Sequence, residues 1–328
     1  MQIESGRFVV IGGAGFIGSH VVDQLLDAGA GSVLVYDNFS TGSRANLAAA
    51  LRDPRCRVFE DGADILHRDM LERAMRGADG VFHLAAHWLL QSLEYPRAAF
   101  DVNVVGTMNV AEAAIRMGVR RLVHSSSASV YGDVRETPVT ESHPQQPGDF
   151  YGASKVCGEA LLRALAGHAR RQGGQFGYVA LRYMNVYGQR QHEQGEYVGV
   201  VARMLRALDQ GQAPTVHGDG TQLLDFIDVR DCARANLLAM QADSTQAGYN
   251  VGSGVGTTIG ELADMLSALH PCKLPAVRLP SGRPQVMARV ASTTQALRDL
   301  HFQARILLED GLQSLLDWRA TARGALRS

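Results

Sequence analysis

No stretch of the chain stays apolar over the about 20 residues that a bilayer crossing requires. Cysteine is scarce and scattered. Cys56, Cys157, Cys232 and Cys272 form no CxxC pair, so their spacing suits neither a disulfide framework nor a structural zinc site and fits a reducing compartment. Charge of one sign is missing too: 32 Lys and Arg stand against 33 Asp and Glu, a net charge of −1, which leaves no global field to recruit nucleic acid or an anionic membrane. Any anion must therefore be held locally. Aromatic residues make up 6% and do not interleave with a basic patch of the nucleic-acid-binding kind. Internal repeats and low-complexity linkers are absent as well. The first apolar run begins at residue 8, too early for a charged leader and apolar core, so a cytoplasmic protein is expected.

What is present is an apolar run that breaks into glycines and resumes, FVVIGGAGFIG over 8–18. Phe8, Val9, Val10 and Ile11 read as a buried strand, and Gly12, Gly15 and Gly18 as a tight turn into a helix. Glycines let backbone approach a pyrophosphate closely, and the helix N-terminus offers unpaired N–H groups. Any tight strand-to-helix turn would look similar. The context adds weight, because a second strand over 32–36 ends in Asp37, placed to accept hydrogen bonds from an adenosine ribose. The same carboxylate repels a 2′-phosphate, which favours NAD over NADP.

A helix over 16–28 and the strand at 32–37 complete one βαβ unit. Strands are further expected at 56–60, 80–86, 121–127 and 176–183, with helices over 98–117 and 150–171. This alternation predicts an α/β fold, a doubly wound parallel (Rossmann) sheet with ligands beyond the carboxyl ends of its strands. Beyond Asn185 the elements shorten and Gly and Pro punctuate them, which suits a smaller C-terminal α/β substrate domain. The division expected is 1–184 for dinucleotide binding and 185–328 mainly for substrate, with segments returning to the first part. Helices are placed at 198–210, 229–241, 259–269 and 305–319.

Tyr151 and Lys155 stand at i and i+4 of a helix start, so their side chains share one face. For a phenol to act as a base near neutrality its pKa must come down from about 10 to about 7, worth about 4 kcal/mol. One cation about 4 Å away at an effective dielectric of about 20 supplies a similar amount. Lys155 and an oxidised nicotinamide are the expected sources of that charge.

The motifs GGAGFIG at 12–18, YDNFSTG at 36–42, HLAA at 83–86, SSSASVYGD at 125–133, YGASK at 151–155, LRYMNVYG at 181–188 and GDGTQLLDFIDVRDCARA at 218–235 span nearly the whole chain. Together they resemble the extended short-chain dehydrogenase/reductase family, within it the nucleotide-sugar epimerases and dehydratases. The resemblance implies Tyr151 as catalytic base, Lys155 as its electrostatic partner and ribose ligand, and Ser127 as the hydroxyl that bonds the sugar oxygen. It assigns NAD contacts to Gly12, Gly15, Phe16, Ile17, Gly18, Asp37, Asn38, Ser40, Gly42, Asp64, Ile65, Leu84, Ala85, Ala86, Asn103, Ser125 and Tyr183, besides Tyr151 and Lys155. Asn185 matches a substrate-contacting asparagine. Plainer roles are open to some: Asp64 as a helix cap, Asn103 as a polar helix-face residue, Ser125 as a strand-end hydrogen-bonder.

Sugar 4,6-dehydratases look like Thr-Asp-Glu-Val-Tyr-Gly where this chain has Ser127-Ala128-Ser129-Val130-Tyr131-Gly132. No acid is available there for elimination, so the expected reaction is 4-epimerisation of a nucleotide sugar, a UDP-hexose or its N-acetylhexosamine or uronic relative, through a 4-keto intermediate. Other reactions on the same scaffold, and a non-catalytic NAD-binding protein, are the alternatives. Leu224 replaces the diphosphate arginine common in such epimerases before Asp225-Phe226. Arg283 resembles the later phosphate arginine about one residue out of register, a possible substitute or a plain loop charge. After HLAA, His87 reads as a satisfied structural histidine sooner than an acid or base, and Trp88 as a wall of the sugar pocket or plain packing. The resemblance also implies a homodimer through helices near 98–117 and 152–171.

Overall fold

The computed structural model describes residues 1–60, 62–192, 199–243, 247–280 and 288–327, the side chains of 322–327 excepted. Its strand β1 (Arg7–Ile11) deals its side chains alternately to two cores: Phe8 and Val10 join one, Val9 and Ile11 the other. An unbroken apolar run is what a central parallel strand covered on both faces needs.

After β1 come α1 (Phe16–Asp27), β2 (Ser32–Tyr36), β3 (Cys56–Val58), α2 (Arg68–Met75) and β4 (Gly80–His83). Two short helices, α3 (Leu89–Glu94) and α4 (Pro96–Phe100), lead through a π-helical stretch, Asp101–Gly106, into α5 (Thr107–Arg116). The single helix expected over 98–117 is thus one path with a wide turn inside it. β5 (Arg121–Ser127), α6 (Phe150–Arg171) and β6 (Gly177–Tyr183) complete the first half. The second half contains β7 (Asn185–Tyr187), α7 (Val200–Asp209), β8 (Thr215–His217), β9 (Leu223–Asp228), α8 (Val229–Gln241), β10 (Ala247–Val251), β11 (Gly256–Thr258), α9 (Ile259–Leu269), β12 (Val277–Leu279), β13 (Ala288–Arg289), α10 (Thr294–Leu300) and α11 (Leu308–Arg327). Residue 198, the expected start of one helix, lies outside the described residues, and α11 runs past the expected end at 319.

The large sheet has the order β10-β6-β5-β4-β1-β2-β3, with every neighbouring pair parallel. The chain moves outward from β1 through β2 to β3 and then returns to β4 on the other side. That reversal opens a crevice at the carboxyl ends of β1 and β4, where such sheets bind ligands. α1 and α8 cover one face, α2, α5 and α6 the other. In the second half β9 pairs with β11, β13 and β7, and a third apolar cluster gathers from α7, α9 and α11. α8 and β10 return from this half to the large sheet.

Behind the serine strand lies a buried ion pair. Arg182 on β6 meets Glu159 on α6 at 2.7 Å, with side-chain exposures of only 6% and 4%. Ser126 donates to the same carboxylate at 2.6 Å and Gln145 at 2.9 Å, while Arg182 also donates to the Tyr131 hydroxyl at 2.9 Å. Burial raises the Glu159 pKa, but the Arg182 guanidinium and the other donors more than offset it, and the carboxyl stays below its ordinary range. The pair's contribution is therefore complete at neutral pH and is lost as pH falls through that lowered value. Arg182→Met, which strands a buried carboxylate, should lower unfolding free energy by about 3–5 kcal/mol in urea titrations, and adding Glu159→Met should restore much of it.

Candidate active site

The glycine loop is built for close approach. Gly12 has φ +79° and donates its N–H to the Tyr36 carbonyl at 2.9 Å, and a Cβ there would stand 2.6 Å from the Ala85 nitrogen. A Cβ on Gly18 would overlap the Gly12 carbonyl oxygen. Helix α1 starts immediately after with no side-chain cap, so its first-turn N–H groups are left for an anion. Asp37, just past β2, accepts from the Ala14 N–H and from the Phe39 N–H, both at 2.8 Å, and so ties the second strand to the loop. Burial pushes its carboxyl pKa up against the pull of these two bonds. Asn46 donates to the Ala14 carbonyl at 2.9 Å from the outer side. A glycine cradle, an uncapped helix start and an acid ending the second strand fit the pyrophosphate and adenosine ribose of a dinucleotide.

Across the crevice, Asp149 caps α6 by accepting the Gly152 N–H at 2.7 Å. Tyr151 and Lys155 follow on one face. Tyr151 lines the cleft, and burial pushes its phenol pKa up to about 12, with the Ser127 hydroxyl pulling down and Asp149 pushing up. Lys155 is buried and donates to the Ser125 carbonyl at 2.7 Å, its Nζ standing 5.5 Å from the Tyr151 ring centroid. Burial lowers its pKa to about 8 against the attraction of Glu159. Burial is the largest influence on the phenol, so bringing it near neutrality takes positive charge beyond what Ser127 offsets.

The two halves enclose a cleft of about 1190 Å³. That exceeds the roughly 300–1,000 Å³ of a single-ligand pocket, leaving room for a dinucleotide and a second molecule. Its wall includes Gly12, Gly15, Phe16, Ile17 and Gly18 from the loop, then Asp37, Asn38, Ser40, Asp64 and Ile65, then Leu84, Ala85 and Ala86, with Ser125, Tyr151, Lys155 and Tyr183 opposite. Tyr183 is fixed there by Ser125 at 3.1 Å and Asn236 at 2.8 Å. Asp64 also turns the chain, accepting the Leu66 N–H at 2.9 Å.

Other expected contacts lie behind the wall. Asn103 is buried and bonds both the N–H and the carbonyl of His87, at 2.8 and 2.9 Å, and the Ser154 hydroxyl at 3.0 Å. Its amide therefore braces a wall segment against α6 instead of forming the wall. Gly42 packs on Ala14, where a Cβ would come within 2.7 Å of its carbonyl carbon. Ser127 donates to the Ser129 hydroxyl at 3.2 Å, and Asn185 donates to the Asp225 carbonyl at 3.0 Å. Arg283 lies outside the described residues. Leu224, where an arginine was expected, packs into the apolar cluster of α7 and α9. The wall also contains Trp88, Arg190, Gln191, His192, Trp318 and Arg319. Apart from Trp88, none of these stands in a motif with a readable role; only the fold brings the loop after β7 and the last helix to the crevice.

The model of the NAD dependent epimerase/dehydratase family matches residues 8–252. A putative UDP-glucose 4-epimerase of Methanocaldococcus jannaschii is 33% identical over 94% of this chain and 97% of its own length. Among solved structures, the UDP-N-acetylglucosamine 4-epimerase of Methanobrevibacter ruminantium in complex with UDP-N-acetylmuramic acid superimposes with a TM-score of 0.89 at 30% identity, covering 97% of this chain and 99% of that one. A dTDP-glucose 4,6-dehydratase of Streptomyces venezuelae with NAD bound reaches 0.86, also at 30% identity, over 97% and 98% of the two chains. With matching sequence, superimposable fold and a dinucleotide cradle that agree along almost its full length, the chain belongs to the NAD dependent epimerase/dehydratase family.

Proposed function

We propose that the chain is an NAD-dependent nucleotide-sugar 4-epimerase acting on a UDP-hexose, a UDP-N-acetylhexosamine or a UDP-uronic acid. The observation that carries this reading over dehydration is local: the Ser127 hydroxyl acts on the Tyr151 phenol beside the cleft, and the residues that follow Ser127 are Ala128 and Ser129. Ser129 gives its N–H to Ser127 at 3.1 Å, and the nearby Asp149 carboxylate is engaged as a helix cap. At the two positions directly after Ser127, Ala128 and Ser129 bring no carboxyl group to drive out a hydroxyl.

NAD bound in the cleft supplies a hydride acceptor and donor and, when oxidised, a positive charge near the phenol. Tyr151 takes the proton of the C4 hydroxyl as the C4 hydrogen leaves as hydride, and Ser127 orients the same oxygen. The 4-keto sugar turns, receives hydride on its other face, and recovers the proton from Tyr151. Lys155 anchors α6 to β5 and presents a fixed cation beneath the pair.

Purified protein given a panel of UDP-sugars should interconvert C4 epimers, followed by NMR of the products. Tyr151→Phe should lower turnover by about 10²-fold or more while NAD remains bound. An unaltered rate in that variant would refute the mechanism, and wild-type protein that binds nucleotides without turnover would favour the non-catalytic reading.

The lowered Lys155 pKa also bears on stability. The folded chain holds this proton less tightly than the unfolded chain does, so the burial cost of the charge is present at neutral pH and is relieved as pH rises through about 8. In NAD-stripped protein, Lys155→Met should gain on the order of 1–3 kcal/mol at pH 7, a gain that shrinks towards alkaline pH while catalysis is lost. Urea titrations at the two pH values measure it.

Leu93, Tyr95, Phe100, Val105 and Phe150 are exposed along α3, α4, the π-helical stretch and the start of α6. This apolar face supports a homodimer. Light scattering should find dimers, and Leu93→Asp with Phe150→Asp should shift them to monomers.

A further inference from the structure

We propose that Arg190 is the cation that holds a diphosphate in this cleft, taking the part that Leu224 cannot. For a nucleotide-sugar diphosphate the assignment rests on the function proposed above; for the cofactor's pyrophosphate it stands apart from it.

Arg190 sits in the loop after β7 and lines the cleft. One terminal nitrogen meets the Asp23 carboxylate of α1 at 2.7 Å. The other, Nη1, is buried with no hydrogen-bond partner, and the neighbouring Gln191 Oε1 is in the same condition. A buried donor cut off from water carries a desolvation cost that an entering anion can relieve, whereas the Gln191 oxygen, an acceptor, is not satisfied by phosphate oxygens. The backbone is strained at the same point, since Arg190 has φ +65°, which a side chain with a Cβ adopts at a cost. Such strain persists where surroundings over-determine it, and here they do: the His20 ring bonds the Gln189 carbonyl at 3.1 Å, and Asp23 grips the guanidinium. Both anchors belong to α1, whose uncapped N-terminus is the anion cradle.

A guanidinium with one arm fixed on a carboxylate keeps further planar donors for a second group of oxygens. A diphosphate, with its several charged oxygens, meets that geometry. The other arginine of the wall, Arg319, is ion-paired with Asp209, which also meets His270. Leu224, turned into the apolar cluster, supplies no charge.

Calorimetry with UDP and UMP, alongside measurement of NAD retained after purification, tests the assignment on the full chain. Arg190→Gln should weaken UDP binding by about tenfold or more, with a smaller loss for UMP, and Arg190→Lys should recover part of it. An effect on NAD retention instead of on UDP would identify the cofactor as the source of the diphosphate. Far-UV circular dichroism and melting temperature should match the wild type. Asp23→Asn, which leaves the guanidinium in place, should bind UDP nearly as the wild type does. The assignment is overturned if Arg190→Gln binds UDP and retains NAD unchanged, or if Asp23→Asn reproduces the whole loss, because the pair is then only a brace between loop and helix. Wild-type protein that fails to bind UDP would count against the nucleotide-sugar reading and leave the NAD arm to decide on Arg190.

Discussion

An ammonium group kept from water governs the carboxyl edge of the large sheet. Lys155 is buried, and its one strong bond runs to the carbonyl of Ser125, so α6 can carry it only by lying close against the end of β5. Gly158, one turn further along, makes that approach possible: a Cβ there would stand 3.1 Å from the His124 ring. Below lie two stacked imidazoles, His83 and His124, with ring centres 5.3 Å apart. Burial first and the Lys155 charge second keep both neutral, bringing His83 down to about 3 and His124 well below its usual value. A single cation is thus held at a fixed place in a poorly solvated setting. Charges fixed in such a setting need no reorganisation when an opposite charge forms nearby.

Much of this arrangement is local, and what is local is legible in a sequence. The strand, the glycines and the acid at the end of β2 lie within thirty residues, and Tyr151 and Lys155 share a face by helical geometry alone. Their surroundings are another matter. The periodicity that puts lysine and phenol on one side of a helix does not say which atom the ammonium faces, and the partner it chose is a carbonyl on β5. Asn103 has the residue type of a ligand-binding amide, yet it spends its capacity on His87 and Ser154, the latter reached only after α6 has packed. Arg190 carries no sequence signal, because neither a left-handed backbone nor a partner on α1 is written in the residues around it. The three-residue strands of the second half are too short to show any period.

The second half is organised by a different buried acid. Asp225 is fully buried and accepts from the Ser253 N–H and hydroxyl, both at 2.7 Å, from the Gly254 N–H at 3.0 Å and from the Ala291 N–H at 3.1 Å. It therefore pins the turn after β10 and the chain after β13 to β9. The alternation of side chains along a strand then sends Leu224 and Phe226 to the opposite face, where both join the apolar cluster of α7, α9 and α11. Leucine at 224 reinforces this packing, where an arginine would have to leave it. The Asp225 carbonyl meanwhile receives the Asn185 amide, so the strand that anchors the small sheet also sets the first residue of β7.

Elimination of water from a sugar needs an acid free to protonate a departing hydroxyl, as well as a base. Reversal of a configuration by hydride loss and return needs only one group that gives back the proton it took. Two carboxylates near the serine turn are engaged: Glu159 by Arg182, Ser126 and Gln145, and Asp149 by the first turn of α6. Glu159, held below its ordinary range by these donors, is a poor proton donor. The phenol is different, being buried and shifted towards its neutral form. In the proposed reaction the charge of an oxidised nicotinamide would add to that of Lys155 and favour loss of the phenol proton. A base that ionises more readily beside oxidised cofactor suits a reaction in which the cofactor is restored at every turnover.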